Sequence, residues 1–203
     1  MPRYFPGIIV MAATVVASNI LVQFLLGDWL TWGALTYPFA FLVTDVMNRV
    51  YGLAAARRVV LAGFIVGVIC SVAAAGMNAT TLRIALASGT AFLTAQMLDV
   101  WVFDRLRNRV WWTAPLVSTL IGSVTDTAIF FTIAFSTPLS FIDPGADIAW
   151  ANEILPVLGH GPAAPLWVSL ALADWLVKLA LAVLSLAPFR IIVINILRRR
   201  AEI

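Results

Sequence analysis

Long apolar stretches, nearly free of charge, alternate along the chain with short segments that contain arginine, proline or aspartate. Most stretches approach the roughly 20 residues with which an α-helix crosses the hydrocarbon core of a bilayer. The pattern predicts six membrane-spanning helices, near residues 6–26, 32–50, 56–76, 82–104, 112–136 and 165–188. The predicted fold class is therefore all-α, a polytopic membrane protein with a single six-helix transmembrane domain over residues 1–203.

The composition supports a membrane protein and excludes an ordinary soluble domain. Hydrophobic residues make up 62% of the chain and charged residues 11%, against roughly 45–50% and about 25% in soluble domains. A soluble chain of 203 residues could not bury so much apolar surface. The single cysteine, Cys70, excludes an intramolecular disulfide framework and a thiol metal site.

The charges predict an orientation and argue against a nucleic-acid partner. All but one of the 13 basic residues are arginine, and they flank the apolar stretches, which suits lipid head groups. Alternate connections on one side carry Arg3, Arg49, Arg57, Arg58, Arg105, Arg107, Arg109, Arg190 and Arg198 to Arg200. The other side has Arg83 with Asp28, Asp143, Asp147 and Glu153. The positive-inside rule then places both termini in the cytoplasm.

The longest predicted connection, residues 137–164, lies on the outer side and is rich in proline. A connection of this length often has a function, for example as a lid. A simple connector is the alternative. We expect a short surface helix within it, over residues 146–158.

Ionisable residues within the predicted spans are the main candidates for function: Asp45, Asp99, Asp126, Asp174 and Lys178. Each such charge costs roughly 2.5–3.5 kcal/mol near the centre of a bilayer. These side chains must therefore pair, carry a proton or line a hydrated cavity inside the bundle.

Helical spacing shows which residues share a face with each acid. Asp126 shares a face with Phe130, and Asp99 shares one with Gln96. Asp45 shares a face with Phe41 and Asn48, and this face begins one turn beyond Pro38, which is expected to kink its helix. Further candidates are Asn19 in the first span and Trp175 beside Asp174.

Structural roles remain open for several of these acids. Asp174 and Lys178 are four residues apart and well placed to pair, so they could form a neutralising internal pair. Asp45 and Asp99 lie near arginines and could form bridges to Arg49, Arg57 or Arg105. Asp126 has no basic residue within one turn of its own helix and is the strongest functional candidate.

The chain shows none of the motifs of a membrane enzyme. H-E-x-x-H, G-x-S-x-G and Walker sequences are absent, as is a histidine near a serine or cysteine. We therefore expect no enzymatic activity, no cofactor and no metal. A polar, aromatic-rich interior without covalent chemistry indicates carriage of a small polar molecule.

Several segments resemble the queuosine precursor transporter family. They are the run from Phe41 to Gly52 followed by Ala56 to Arg58, then residues 83–88, 96–103 and 118–127, in order along the chain. The resemblance implies an inner-membrane protein of six spans, similar in fold to the substrate-binding subunits of vitamin transporters. It also implies the cargo, 7-cyano-7-deazaguanine or a related deazaguanine base.

The chain departs from the family pattern at two places. Arg49 follows Asn48 where an acidic residue is usual, and Gly122 and Ser123 stand where serine and glutamine are common. The missing glutamine removes one amide that could read the base. The preferred precursor among cyano, aminomethyl and queuine bases is therefore left open.

The chemistry of a deazaguanine fits these residues. A carboxylate such as Asp126 can accept both N1–H and the exocyclic amine. Asn48, Gln96 or Lys178 can donate to the carbonyl, and aromatic rings such as Phe130 can stack on the flat base. The leading hypothesis is a secondary or facilitative importer, with lipid and a purine-like base as partners and self-association left open. The alternatives are a binding subunit of an ATP-driven transporter and a membrane scaffold that carries nothing.

Overall fold

The computed structural model describes residues 3–36 and 38–201, and most of them are helical. The α-helices are α1 (Phe5–Leu21), α2 (Gly33–Thr36), α3 (Pro38–Tyr51), α4 (Leu53–Gly76), α5 (Leu82–Leu106), α6 (Thr113–Phe135), α7 (Leu166–Leu184) and α8 (Leu186–Ala201). Two antiparallel hairpins join β1 (Leu25–Leu26) to β2 (Leu30–Thr31) and β3 (Ile154–Pro156) to β4 (Ala163–Pro165). The all-helical class is confirmed, with these hairpins as small additions.

Helices α4, α5, α6 and α7 are long and apolar enough to cross a membrane. Helix α1 is apolar but has 17 residues, because the chain leaves the helix after Leu21 and enters the β1–β2 hairpin. Large apolar side chains on α4, among them Ile65, Ile69 and Val72, are exposed on the outside of the bundle. An apolar surface on such helices is what lipid contact requires, so the protein is a multi-pass membrane protein.

The predicted second and sixth spans differ from the structure at their ends. The second span is represented by α2 and α3, and residue 37 between them lies outside the described residues. Pro38 begins α3 and therefore lies at a helix start, where its missing N–H costs little, rather than at a kink inside a helix. The sixth predicted span, residues 165–188, corresponds to α7, which ends at Leu184. The chain continues as α8, with Pro188 in its first turn.

The main apolar core lies between α1, α3, α4, α5 and α8. Met11, Val60 and Phe103 are fully buried in it, and Phe189 of α8 packs edge-on against Phe103 with ring centroids 6.1 Å apart. Gly63, which forms a G-x-x-x-G with Gly67 on α4, serves this packing, because a Cβ on Gly63 would lie 2.6 Å from the Met11 side chain. Helix α8 is therefore packed onto the bundle.

Helices α3, α5 and α6 cross closely at Gly122. A Cβ at this position would lie 2.7 Å from the Phe41 ring and 3.4 Å from the carbonyl oxygen of Ala95. Phe41 is itself buried. Only a glycine lets the three helices approach to this distance without moving the ring.

Arg83, at the start of α5, caps the end of α6. Its Nε donates a hydrogen bond to the carbonyl oxygen of Ile133 at 2.6 Å, and its Nη2 donates to that of Ser136. The guanidinium thus satisfies carbonyls that the end of α6 leaves without helical partners. Arg83 is buried despite its charge.

The connection from α6 to α7 is folded against the bundle. It contains 3-10 turns at Thr137–Ile142, Trp150–Asn152 and Val157–Gly159, and the β3–β4 hairpin. Asn152 donates to the carbonyl oxygen of Phe135 at 3.0 Å, and the backbone N–H of Leu158 donates to Ser169 Oγ at 3.1 Å. The α-helix predicted over residues 146–158 is wrong, because this stretch forms two 3-10 turns and a strand.

The two ends of the molecule differ in composition. The hairpin end carries residues 22–32 and 136–165, and the arginine end carries Arg49, Arg58, Arg105 and Arg107.

Candidate functional site

A cavity of about 510 Å³ lies in the half of the bundle toward the hairpin end. It is bounded by the last turns of α1, α4 and α6, the first turns of α5 and α7, the β1–β2 hairpin and Trp150. Its volume lies within the range of roughly 300–1,000 Å³ that is usual for small-molecule sites. Its polar lining residues are Ser18, Asn19, Gln23, Asp28, Thr31, Ser71, Thr80, Ser88, Asp126, Asp174 and Lys178.

An ionic group on the wall made by α6 and α7 gives the cavity its charge. Lys178 Nζ lies 2.7 Å from Asp126 Oδ2 and 2.5 Å from Asp174 Oδ2. Thr127 completes the group, because its Oγ1 accepts from Lys178 at 3.1 Å and donates to Asp174 Oδ2 at 2.8 Å. We call these four residues the lysine cluster. The ion pair that the spacing of Asp174 and Lys178 predicted is present.

The lysine cluster contains two carboxylates and one ammonium group. Both Asp126 and Lys178 are buried, and the side chain of Asp174 is 14% exposed. Asp174 Oδ2 accepts from both Thr127 and Lys178, whereas its Oδ1 receives no hydrogen bond from any described residue. A ligand with N–H groups could therefore bind to the excess carboxylate charge at the cavity wall.

Aromatic rings form the cavity wall between the lysine cluster and the hairpin end of the molecule. Phe130 lies 5.1 Å from Phe131 and 6.2 Å from Phe135 between ring centroids, and Phe135 lies 5.5 Å from Trp150. All four rings line the cavity. This surface can stack on a flat heterocycle whose polar edge faces the lysine cluster.

The opposite wall, made by α1 and the β1–β2 hairpin, supplies uncharged polar groups and one further acid, Asp28. Asn19 lines the cavity, and its amide nitrogen donates to the carbonyl oxygen of Val15 at 2.9 Å. Ser18 is fixed by a hydrogen bond of 2.9 Å with Thr36 of α2. This wall therefore adds hydrogen-bonding groups without adding a compensating cation.

A second polar group lies between α3, α5 and α6, nearer the arginine end. Asp45 Oδ1 accepts from Ser118 at 3.2 Å, and Asp45 Oδ2 accepts from Thr119 at 3.3 Å. The carboxylate of Asp99 lies beside that of Asp45. We call Asp45 and Asp99 the acid pair. Its surroundings are tightly packed, since Asp45 is 2% exposed and Asp99 is 0% exposed.

Two amide side chains lie on the same helix faces as the acid pair. Gln96 Oε1 accepts from Thr44 at 2.6 Å, and Asn48 Nδ2 donates to the carbonyl oxygen of Val100 at 2.8 Å. The other polar atoms, Gln96 Nε2 and Asn48 Oδ1, are buried without a partner among the described residues. These contacts join α3 to α5 and do not reach the cavity lining.

The arginine bridges considered for the acid pair do not form among the described residues. Arg49 donates to the carbonyl oxygens of Arg107 and Trp111 and stacks over Phe103. Arg105 stacks over Trp101. The ion pairs of the described residues join Arg107 to Asp104 and Lys178 to Asp126 and Asp174.

The structure thus divides the ten predicted site residues into two groups. Asn19, Asp126, Phe130, Asp174 and Lys178 line the cavity. Asp45, Asn48, Gln96 and Asp99 lie at or beside the acid pair, and they do not line it. Trp175, expected beside a ligand, also does not line the cavity, and its buried Nε1 has no partner among the described residues. Residues on one face of a helix lie at different heights along its axis. A shared face therefore does not place two residues at the same site, and this explains why the predicted residues fall into two groups.

The sequence reasoning missed part of the lining. The predicted site residues do not include Phe131, Phe135 and Trp150, although the contacts of these rings form most of the aromatic wall. Phe131 and Phe135 are four residues apart, which was a usable signal of a shared face. Trp150 carried no such signal, because the loop that brings it to the cavity has no helical period.

These features define a class of protein: a helical, multi-pass membrane protein with an internal cavity lined by charged and aromatic side chains. Residues 31–193 match the family model described as "Putative vitamin uptake transporter". The queuosine precursor transporter of Escherichia coli (strain K12) is 35% identical over 92% of this chain and 84% of that protein. The probable queuosine precursor transporter of Haemophilus influenzae (strain ATCC 51907 / DSM 11121 / KW20 / Rd) is 32% identical over 85% of this chain and 72% of its own length. The probable queuosine precursor transporter of Bacillus subtilis (strain 168) is 30% identical over 80% of this chain and 71% of its own length.

The chain therefore belongs to the queuosine precursor transporter family. The resemblance inferred from its second, fourth and fifth predicted spans is confirmed. No solved structure matches the chain.

Proposed function

We propose that this protein imports a queuosine precursor, 7-cyano-7-deazaguanine or a related deazaguanine base, across a bacterial inner membrane. The observation that carries the proposal is the cavity with carboxylates and a lysine on one wall and four aromatic rings beside them. The names of the relatives support the same cargo. Transport without covalent change of the base is the activity that such a site supports.

In the proposed complex, Asp126 and Asp174 accept hydrogen bonds from the N1–H and the exocyclic amine of the base. Lys178 keeps the two carboxylates together and can donate to the carbonyl oxygen of the base. Phe130 and Trp150 cover the faces of the ring. Each base–aromatic stack contributes about 1–3 kcal/mol in nucleic-acid sites, which is the scale expected here.

The proposed arrangement in the membrane has six spans within one domain, residues 1–203. Helices α4 to α7 supply four, α1 supplies one, and α2 with α3 supplies one. Both termini are cytoplasmic, because the arginine end carries most of the basic residues and the hairpin end carries Asp28, Asp143, Asp147 and Glu153. The cavity then faces the periplasm, and helices rock around it during alternating access.

The test uses bacterial cells that can neither make nor import the precursor. Expression of this protein, with 7-cyano-7-deazaguanine supplied at low concentration, should restore queuosine in tRNA. Asp126→Asn should abolish the restoration, because the amide lacks the negative charge and one of the two acceptor oxygens of the carboxylate. Asp147→Asn, on the surface of the outer loop, is the matched control and should restore queuosine fully.

Two outcomes would contradict the proposal. Full restoration by Asp126→Asn would remove this carboxylate from the site. Absence of restoration by the native chain, with the protein present in the membrane, would favour a scaffold. Uptake by the purified chain in liposomes without ATP distinguishes an independent importer from a binding subunit of an ATP-driven transporter.

A further inference from the structure

The acid pair is a buried site that the cavity does not use. Its two carboxylates are packed between α3, α5 and α6, and among the described residues the hydroxyls of Ser118 and Thr119 are the side-chain donors to Asp45. Neither oxygen of Asp99 receives a hydrogen bond from a described residue. Gln96 Nε2 and Asn48 Oδ1, beside the pair, are equally buried and unpartnered within the described chain. The site therefore has unused hydrogen-bonding capacity in a fully packed region.

No described cation forms an ion pair with either acid, and Arg49, whose charge acts on Asp45 through space, donates its hydrogen bonds elsewhere. Besides the pair itself, the charged residues on the surrounding helices are Arg49 on α3, Arg57 and Arg58 on α4, Arg83, Asp104, Arg105 and Arg107 on α5, Asp126 on α6, Asp174 and Lys178 on α7, and Arg190, Arg198 and Arg199 on α8. Arg49 binds backbone carbonyls, Arg58 binds Tyr4, and Arg190 stacks over Trp111. Lys178 is held by the carboxylates of the lysine cluster.

A proton is the smallest charge that can neutralise two adjacent carboxylates. Two like charges in contact and out of water cannot both persist without a counter-ion. When one carboxylate gains a proton, its O–H donates to the other, and both acids are satisfied. A metal ion would need several oxygen ligands and space around it, whereas both oxygens of Asp45 are already held by hydroxyls.

The pair is also connected to the cavity through α6. Ser118 and Thr119 hold Asp45, and Asp126 lies on the same helix roughly 12 Å further along its axis. A movement of α6 that opens or closes the cavity would therefore change the donors around Asp45. Proton binding at the pair and base binding at the cavity would then favour particular positions of the same helix.

We propose that Asp45 and Asp99 bind the proton whose inward movement drives import of the base. This proposal rests on the transport function proposed above. In the outward-facing state one O–H bond forms on the pair, and it breaks when the pair opens to the cytoplasm. One proton then crosses with each base, without any redox change.

The experiment uses the purified protein in liposomes with radiolabelled 7-cyano-7-deazaguanine. Three conditions are compared: a pH gradient with the acid side outside, a sodium gradient, and no ion gradient with unlabelled base inside to measure exchange. The native protein should accumulate base at least 10-fold more under the pH gradient, and the sodium gradient should have no effect. Accumulation that follows sodium, or that ignores the pH gradient, would overturn the proposal.

Variants of the two acids test whether the accumulation driven by the pH gradient depends on the acid pair. Asp99→Asn and Asp45→Asn should retain exchange of base but lose accumulation driven by the pH gradient, because an amide cannot release a proton. Asp147→Asn, at an exposed position of the outer loop, is the matched control and should behave as the native protein does. Gradient-driven accumulation by the Asp45→Asn/Asp99→Asn double variant would overturn the proposal.

A second measurement does not depend on transport by a variant. The native protein should show an infrared band of a protonated carboxyl group that the Asp45→Asn/Asp99→Asn variant lacks, and an unchanged band would overturn the assignment. Failure of the transport function itself has a different signature, since the native protein would then neither exchange base nor be stabilised by it. That result would remove both proposals.

Discussion

Lys178 is the side chain on which the electrostatics of the cavity depend, because it is the common partner of Asp126 and Asp174. A buried ion pair adds little net stability by itself, but removing one partner leaves an uncompensated charge. Removing the cation and removing one of the anions should therefore have unequal effects on stability. Loss of the lysine leaves two carboxylates, whereas loss of one carboxylate leaves a neutral pair.

This asymmetry gives the first prediction. Lys178→Met should lower the free energy of unfolding by about 3–5 kcal/mol, the range observed when a buried pair is broken. Asp126→Asn should cost clearly less, because Lys178 keeps Asp174 at 2.5 Å. Thermal unfolding in detergent measures both. Equal losses of stability would show that the cluster does not carry the charges assigned to it.

Arg83 is the second single residue with a large expected effect. Arg83→Gln removes the hydrogen bonds that the guanidinium donates to Ile133 and Ser136, so the unfolding free energy should fall by roughly 1.5–3 kcal/mol, as for bonds to charged groups. Hydrogen exchange at the end of α6 should become faster. Arg109→Gln, at an exposed position, is the control and should change neither quantity. An unaltered exchange rate in Arg83→Gln would contradict the capping role.

The sequence identified the ionisable residues of the interior but not how they are grouped. The apolar stretches made Asp45, Asp99 and Asp126 conspicuous, because a charge in such a stretch needs an explanation. Helical spacing then showed which face each residue occupies. It could not show depth relative to neighbouring helices, and depth is what separates Asp126 in the cavity from Asp99 in the acid pair.

At the scale of whole elements, the crossing of α3, α5 and α6 depends on Gly122. Gly122→Ala places a methyl group 2.7 Å from the Phe41 ring, so overpacking should cost about 1–3 kcal/mol of unfolding free energy. Gly76→Ala is the matched control, since its Cβ meets nothing within 4 Å. Phe41→Leu in the Gly122→Ala background should recover part of the loss. A stable Gly122→Ala protein would mean that the crossing is looser than described.

The connection between α6 and α7 is the element whose role the sequence left open. Its turn at Trp150–Asn152 brings the Trp150 ring to the cavity wall, 5.5 Å from the ring of Phe135. Trp150→Ala should therefore weaken binding of 7-cyano-7-deazaguanine by about 1–3 kcal/mol, the contribution of one stacked base. Titration calorimetry on the purified protein measures the change. The control is Trp112→Ala, an exposed tryptophan at the arginine end; an unchanged affinity in Trp150→Ala would leave the loop as a connector.

The helices themselves were largely predictable, and their ends were not. Charge-free runs located α4, α5, α6 and α7 within a few residues of the structure. The first helix was predicted to extend to residue 26 because the chain remains apolar there, but it ends at Leu21 and residues Leu25–Leu26 pair with β2. Hydropathy reports whether a segment avoids water, and it does not distinguish a helix from a short hairpin that covers a cavity.

In the molecule as a whole, the cavity and the acid pair occupy different depths of one bundle. The lysine cluster joins α6 to α7, and the acid pair joins α3 to α5 and α6. Helix α6 is therefore the element common to both sites. This arrangement is suited to a carrier, in which the site for cargo and the site for an energy source must respond to the same movement.

The orientation of the whole molecule gives the last prediction. With Cys70 replaced by alanine, a single cysteine at Ser88, which lines the cavity, should react with a membrane-impermeant maleimide added to right-side-out membrane vesicles. Saturating 7-cyano-7-deazaguanine should slow the reaction at least 10-fold, because the base fills the same space. A cysteine at Asp104, at the arginine end, should react only after the vesicles are opened. The reverse pattern would place the cavity on the cytoplasmic side and contradict the orientation, whereas labelling of Ser88→Cys that the base does not slow would place the cargo elsewhere in the bundle.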